Sequence, residues 1–133
     1  MGAGIGGLTC AAALRKDGHE VSVYEQADGF KRLGAGIQQG PNAVKVLRQL
    51  GLEPLLRQTA FQPNSSLNRL SSTGEITWER ALGKEVERKY GAPYFYMHRG
   101  DLHGALARLV PDSVIHHNCR LTSLRMAEKK TEL

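Results

Sequence analysis

The chain has 133 residues, 41% of them hydrophobic and 23% charged, with a net charge of +5, which is the composition of an ordinary globular domain with a core of its own. No run approaches the ~18 apolar residues that a membrane helix needs, so no membrane span is expected. Lys and Arg are scattered and aromatics are few, which argues against nucleic acid as a partner; the modest positive charge serves solubility or attracts anions such as phosphates and carboxylates.

The chain opens on a glycine-rich stretch, and Leu8 to Asp17 reads as a helix stopped by Gly18. Val21 to Tyr24 alternates and reads as a strand. Residues 26–40 hold four glycines and read mostly as loop. Pro41 to Leu50 reads as a second helix with Ala43, Val46, Leu47 and Leu50 on its apolar face, ended by Gly51. Leu55 and Leu56 suggest a further helical turn. Leu67 to Ser72 and Ile76 to Arg80, around Thr73-Gly74, read as a β-hairpin. Residues 81–92 are charged and weakly periodic, a loop or a short helix. Tyr94 to His98 reads as a strand. Asp101 then N-caps a helix with Leu102, Ala105, Leu106 and Leu109 on one face, stopped by Pro111. Val114 to His117 and Leu121 to Met126 read as strands, followed by a charged end.

Cys10 and Cys119 have neither CxxC nor metal-type spacing, so reduced thiols and no metal site are expected. Without a basic-then-apolar leader, the expected location is cytoplasmic. His103 is expected to be exposed or structural. His116 and His117 are adjacent on a strand and so face opposite sides.

Gly2, Gly4 and Gly7 form G-x-G-x-x-G. In that pattern the first glycine allows a tight turn, the second lets the backbone approach a pyrophosphate, and the third allows close helix packing. The helix that follows offers unbonded N–H groups and a positive dipole end to the phosphates. Glu25 lies 18 residues past Gly7, near the ~20 expected for an acid that binds ribose hydroxyls. A carboxylate there repels a 2′-phosphate, so FAD or NAD is favoured over NADP. The motif is ordinarily preceded by a strand. The chain opens directly on the loop, which leads to the expectation that the first strand lies outside it.

G-A-G-I-G-G-L with V-Y-E-Q, then R-L-G-A-G-I-Q-Q-G-P-N-A at 32–43 and H-R-G-D-L-H at 98–103, resemble in order the flavin-dependent aromatic-ring monooxygenases. The branch resembled includes enzymes acting on hydroxynicotinate, hydroxybenzoate and salicylate. The resemblance implies an α/β, Rossmann-like FAD-binding domain over 1–133 with a β-hairpin insertion, residues 67–98 contributing to the substrate-side sheet. It implies that Gly2, Gly4, Gly6 and Gly7 hold the FAD pyrophosphate, with Glu25 at the adenosine ribose and Gln26 beside it. Arg32, Ala35 and Gln38 would lie toward the flavin end, and Arg99 would contact the ribityl or phosphate region, as a guanidinium fork suits. His98, next to Arg99, would help shape the cofactor channel. Gln38 stands where the hydroxynicotinate enzyme has a histidine; glutamine is no general base but can still hydrogen-bond. The resemblance further implies NADH or NADPH as reductant, and O2 and a small aromatic carboxylate as substrates. It also implies that the family's later Asp-Gly and Gly-Asp motifs lie beyond this sequence, so that the C-terminal half of the fold is absent. Two other readings stay open here: a catalytically inactive nucleotide-binding module or gene remnant, and an NAD-dependent dehydrogenase, against which the second and third stretches argue.

Overall fold

The computed structural model describes residues 2–31, 34–127 and 130–132. In chain order the elements are helix α1 (Ile5–Lys16), strands β1 (Val23–Tyr24) and β2 (Gly36–Gln39), helices α2 (Pro41–Gln49) and α3 (Glu53–Thr59), and strands β3 (Ser65–Arg69) and β4 (Ile76–Ala81). Helix α4 (Lys84–Tyr90), strand β5 (Phe95–His98) and helix α5 (Arg99–Ala107) follow. A 3-10 turn (Asp112–Val114) leads to strands β6 (Ile115–His116), β7 (Arg125–Ala127) and β8 (Lys130–Glu132). The class is α/β, as expected. The chain divides into two compact units, residues 1–32 with 102–133, and residues 33–101.

In the first unit α1 starts inside the glycine stretch, four residues after Met1, with Gly4 in extended conformation just before it. Its inward face is Leu8, Ala11 and Ala12, all buried, which is the i, i+3, i+4 spacing of one helical stripe. Gly18, at φ +86, takes the left-handed turn that ends it. β1 pairs in parallel with β6, Val23 opposite Ile115 and Tyr24 opposite His116. Val23 and Ile115 are buried, while Tyr24 stacks on His116 with centroids 5.0 Å apart, the alternation a strand imposes. Leu102 and Leu106 of α5 are fully buried in this unit, each worth ~1.5–3 kcal/mol relative to exposure.

In the second unit β2 runs antiparallel to β5, with Gly36 opposite His98 and Gln39 opposite Phe95. Phe95, Val44, Leu56 and Leu82 are among its fully buried side chains. Glu53 is also buried, at 8% exposure. It accepts hydrogen bonds from Arg48 and from Arg57, and Arg57 continues to Glu87 at 2.5 Å. The Arg48–Glu53–Arg57–Glu87 chain thereby ties α2, α3 and α4 together.

Several expectations are corrected. Residues 36–39 form a strand rather than loop; the flanking glycines masked it, and pairing with β5 supplies its hydrogen bonds. Residues 84–90 take the second of the two expected alternatives, a short helix, closed by Gly91 at φ +73. In α2 Leu47 is buried and Ala43 and Leu50 half-buried as expected, but the other buried position is Val44 and not Val46, which is 45% exposed. α5 begins at Arg99, two residues before the expected cap Asp101, because the His98 Nδ1 accepts the Gly100 N–H at 3.1 Å and does the capping. The hairpin strands are Ser65–Arg69 and Ile76–Ala81, two residues earlier on the first arm. Val114 belongs to the 3-10 turn, 121–124 carry no strand, and the last pairing is β7 with β8.

Candidate functional site

The glycine loop and Glu25 meet in the first unit. The Ala3 N–H donates to Glu25 Oε2 at 2.7 Å and the Ala27 N–H to Glu25 Oε1 at 2.9 Å. These bonds hold the carboxylate at the end of β1 against the loop. The Ala27 N–H above all keeps the Glu25 carboxyl below the usual range; partial burial opposes it, and Ala3, Gln26 and the nearby His117 add to the lowering. Glu25 is therefore an anion at neutral pH. A carboxylate has about four acceptor positions. Two are used by Ala3 and Ala27, which leaves capacity for a pair of ligand hydroxyls.

The glycines divide into two kinds. At Gly7 a Cβ would lie 1.9 Å from the Gly2 carbonyl oxygen, and at Gly2 it would lie 3.3 Å from Glu25 Oε2. These two close the loop on itself. At Gly4 and Gly6 a Cβ would meet nothing within 4 Å, so their faces are open. The first intrahelical bond of α1 is Leu8 N–H to Gly4 O at 2.9 Å. The N–H groups before it have no helical acceptor, and no acidic side chain occupies the first turn. This end of α1 suits an anion. A cleft of about 610 Å³ lies against Gly2, Tyr24, Cys119 and Arg120. Gln26 follows Glu25 with its side chain exposed. Cys10 and Cys119 are both free thiols.

Sequence reasoning did not anticipate the far side of the loop. The His103 Nε2 lies 2.8 Å from the Ala3 carbonyl oxygen. A carbonyl only accepts, so Nε2 carries the proton in this bond. Phe30 packs edge-on against both His103 and His117, at 4.8 and 5.1 Å. His103 is thus half-buried and structural, which is one of the two expected alternatives. Its place in H-R-G-D-L-H was visible in the sequence; its contact with residue 3 was not.

In the second unit two of the sequence motifs come together through the β2–β5 pair. The Arg99 N–H donates to the Ala35 carbonyl at 3.1 Å. Gly34, at φ +127, packs on the Arg99 stem so closely that a Cβ would be 2.9 Å from Cδ. Across the strands, the Tyr94 hydroxyl donates to Gln38 Oε1 at 2.5 Å. Ala35 and Arg99 are therefore neighbours at one end of the strand pair, while Gln38 lies further along it, opposite Tyr96. Arg32 lies outside the described residues. A second cleft, about 520 Å³, is lined by Asn42, Arg80, Lys89 and Tyr90 among others and holds none of the predicted site residues. Among the described residues no group of three His, Cys, Asp or Glu is placed to hold a metal, and no helix is long and apolar enough to cross a membrane.

The NAD(P)-binding Rossmann-like domain family matches residues 1–48. Over 124 residues the chain is 42% identical to 6-hydroxynicotinate 3-monooxygenase of Pseudomonas fluorescens, covering 93% of this chain and 32% of that one. It is 40% identical to 3-amino-4-hydroxybenzoate 2-monooxygenase PtmB3 of Streptomyces platensis, covering 93% and 31%. The solved structure of Klebsiella pneumoniae HpxO, complexed with FAD and uric acid, matches with a TM-score of 0.81 at 26% identity, over 98% of this chain and 32% of that one. The chain thus spans about a third of the length of the relatives it matches. It corresponds to the N-terminal third of flavin-dependent monooxygenases and has their Rossmann-like α/β fold.

Proposed function

We propose that this chain is the FAD-binding portion of an NAD(P)H-dependent monooxygenase that hydroxylates a small aromatic acid. The single observation that carries the reading is the glycine loop pinned to an ionised Glu25, with the faces of Gly4 and Gly6 left open. That arrangement fits a dinucleotide. Gly2, Gly4, Gly6 and Gly7 would hold the pyrophosphate against the N-terminal N–H groups of α1. Glu25 would accept from the ribose hydroxyls, with Gln26 beside it, and the cleft at Tyr24 gives room for the adenosine. Arg99, Ala35 and Gln38 would serve the flavin end, with Arg32 of the same stretch. His98, whose ring caps α5, would contribute to the channel through that helix start.

Bound FAD would supply the redox chemistry that activates O2, with NADH or NADPH as electron source. The chain's own residues bind and orient it. No residue described here is assigned as a catalytic acid or base, and Gln38 cannot act as one. Residues 67–98 would contribute to the substrate-side sheet; the hairpin β3–β4 is exposed along its second strand, and a two-stranded ribbon alone is marginal. A cytoplasmic location goes with this reading. The names of the two relatives, enzymes of hydroxynicotinate and aminohydroxybenzoate, support an aromatic carboxylate as substrate.

The second reading is a nucleotide-binding module without turnover, for which the segment shared with each relative, 31–32% of its length, would suffice. Titration with FAD, followed by an assay for NAD(P)H consumption, tests both. Saturable binding of FAD supports the first claim, and binding without turnover supports the second. A folded chain that ignores FAD overturns both.

A further inference from the structure

Ala3 is gripped from two sides. Its N–H is taken by Glu25 and its carbonyl by His103 Nε2, at 2.7 and 2.8 Å. His103 comes from α5, 100 residues away in sequence, and its ring is steadied by the edge of Phe30. Among the described residues no peptide bond is cis, and in a trans peptide the C=O and the next N–H point in opposite directions. Fixing the Ala3 carbonyl toward α5 therefore aims the Gly4 N–H away from α5. Gly4 is also a residue whose Cβ position is open. Nothing in the glycine spacing requires a histidine to do this.

We propose that His103 is a positioning residue of the glycine loop, holding the Ala3–Gly4 peptide in the orientation that presents the Gly4 N–H to a diphosphate. The proposal rests on the dinucleotide reading of the loop, and its local half can be tested without a ligand. A single oriented hydrogen bond contributes modestly, so its loss is expected to weaken FAD binding by about tenfold.

The experiment compares the chain with His103→Ala and His103→Gln. Glutamine keeps an N–H donor at similar reach. Long-range nitrogen NMR of His103 should show the Nε2-protonated tautomer. Exchange of the Ala3 amide, which Glu25 holds, should quicken in His103→Ala and return toward the original rate in His103→Gln. FAD affinity should follow the same order. An Nδ1-protonated ring overturns the proposal, as do loop exchange and FAD affinity indifferent to His103→Ala, or a glutamine variant no better than alanine. If His103→Ala fails to fold, the tautomer and the glutamine variant decide. If the parent chain shows no FAD binding, the dinucleotide reading fails; tautomer and exchange still support or overturn His103's hold on the loop.

Discussion

Gly7 sits so close to Gly2 that a Cβ on Gly7 would fall 1.9 Å from the Gly2 carbonyl oxygen. That neighbour is backbone and cannot swing aside. Gly7→Ala is therefore expected to destabilise the chain by at least ~1–3 kcal/mol, as overpacking does, seen as a lowered Tm.

Gly4→Ala is the contrasting case. Gly4 has an extended backbone, φ −73 and ψ 177, and open space where a Cβ would go. Its stability effect should stay within ~0.5 kcal/mol. FAD affinity should fall at least about tenfold, because a methyl there blocks approach to the backbone. Denaturation and flavin titration on the same two variants separate the glycine that shapes the loop from the one that faces the ligand.

Glu25 has two duties in this account, tethering Ala3 and accepting from the ribose. Glu25→Ala should lose both, weakening FAD by at least about 100-fold, two hydrogen bonds to a charged acceptor. Its carboxyl is held below the usual range. A depressed folded pKa gives stability that is present above the unfolded value and lost as pH falls through the folded one. The loop tether should thus hold at neutral pH and fail only in acid below the ordinary carboxylate range, which amide exchange at Ala3 would report.

Much of this is legible in the sequence. Glycine spacing, Gly18 and the acid at 25 give the loop, helix and strand in order, because each uses a local backbone rule. The strand 36–39 is not, since Gly36 and Gly40 carry loop propensity and only pairing with β5 makes the segment a strand. On α2 Val44 takes the buried place expected of Val46, a choice that periodicity alone does not make. The His98 cap replaced Asp101 because a side chain one residue before the helix reached the Gly100 N–H. His103 on Ala3 and Gln38 with Tyr94 are contacts between residues 100 and 56 positions apart. No spacing rule reaches that far.

Gly34 is expected to be irreplaceable for two reasons. Its φ of +127 is strained for any side chain, and a Cβ would press on the Arg99 stem at 2.9 Å. Gly34→Ala should cost ~1–3 kcal/mol or displace Arg99. Thermal denaturation reads the first outcome, and a change in the Arg99 side-chain NMR signals reads the second.

Acid should loosen the second unit through Glu53 and Glu87. The Arg48 hydrogen bond, with Arg57 adding and burial opposing, lowers the Glu53 pKa; the Arg57 hydrogen bond chiefly lowers that of Glu87. Both depressions mean stability that is full above the ordinary carboxylate range and falls away below it. Glu53→Gln should lower Tm by roughly 4–8 °C at pH 7 and flatten the acid limb of the Tm–pH profile. An unchanged profile would remove this network from the account.

The most direct measurement is a titration of the folded chain with FAD, followed by the visible absorption and fluorescence of the flavin, with NAD as competitor. The account predicts saturable binding with perturbed flavin bands, weak displacement by NAD, and loss of affinity in Gly4→Ala. A chain that is folded by circular dichroism yet leaves the flavin spectrum unchanged at every concentration would contradict it.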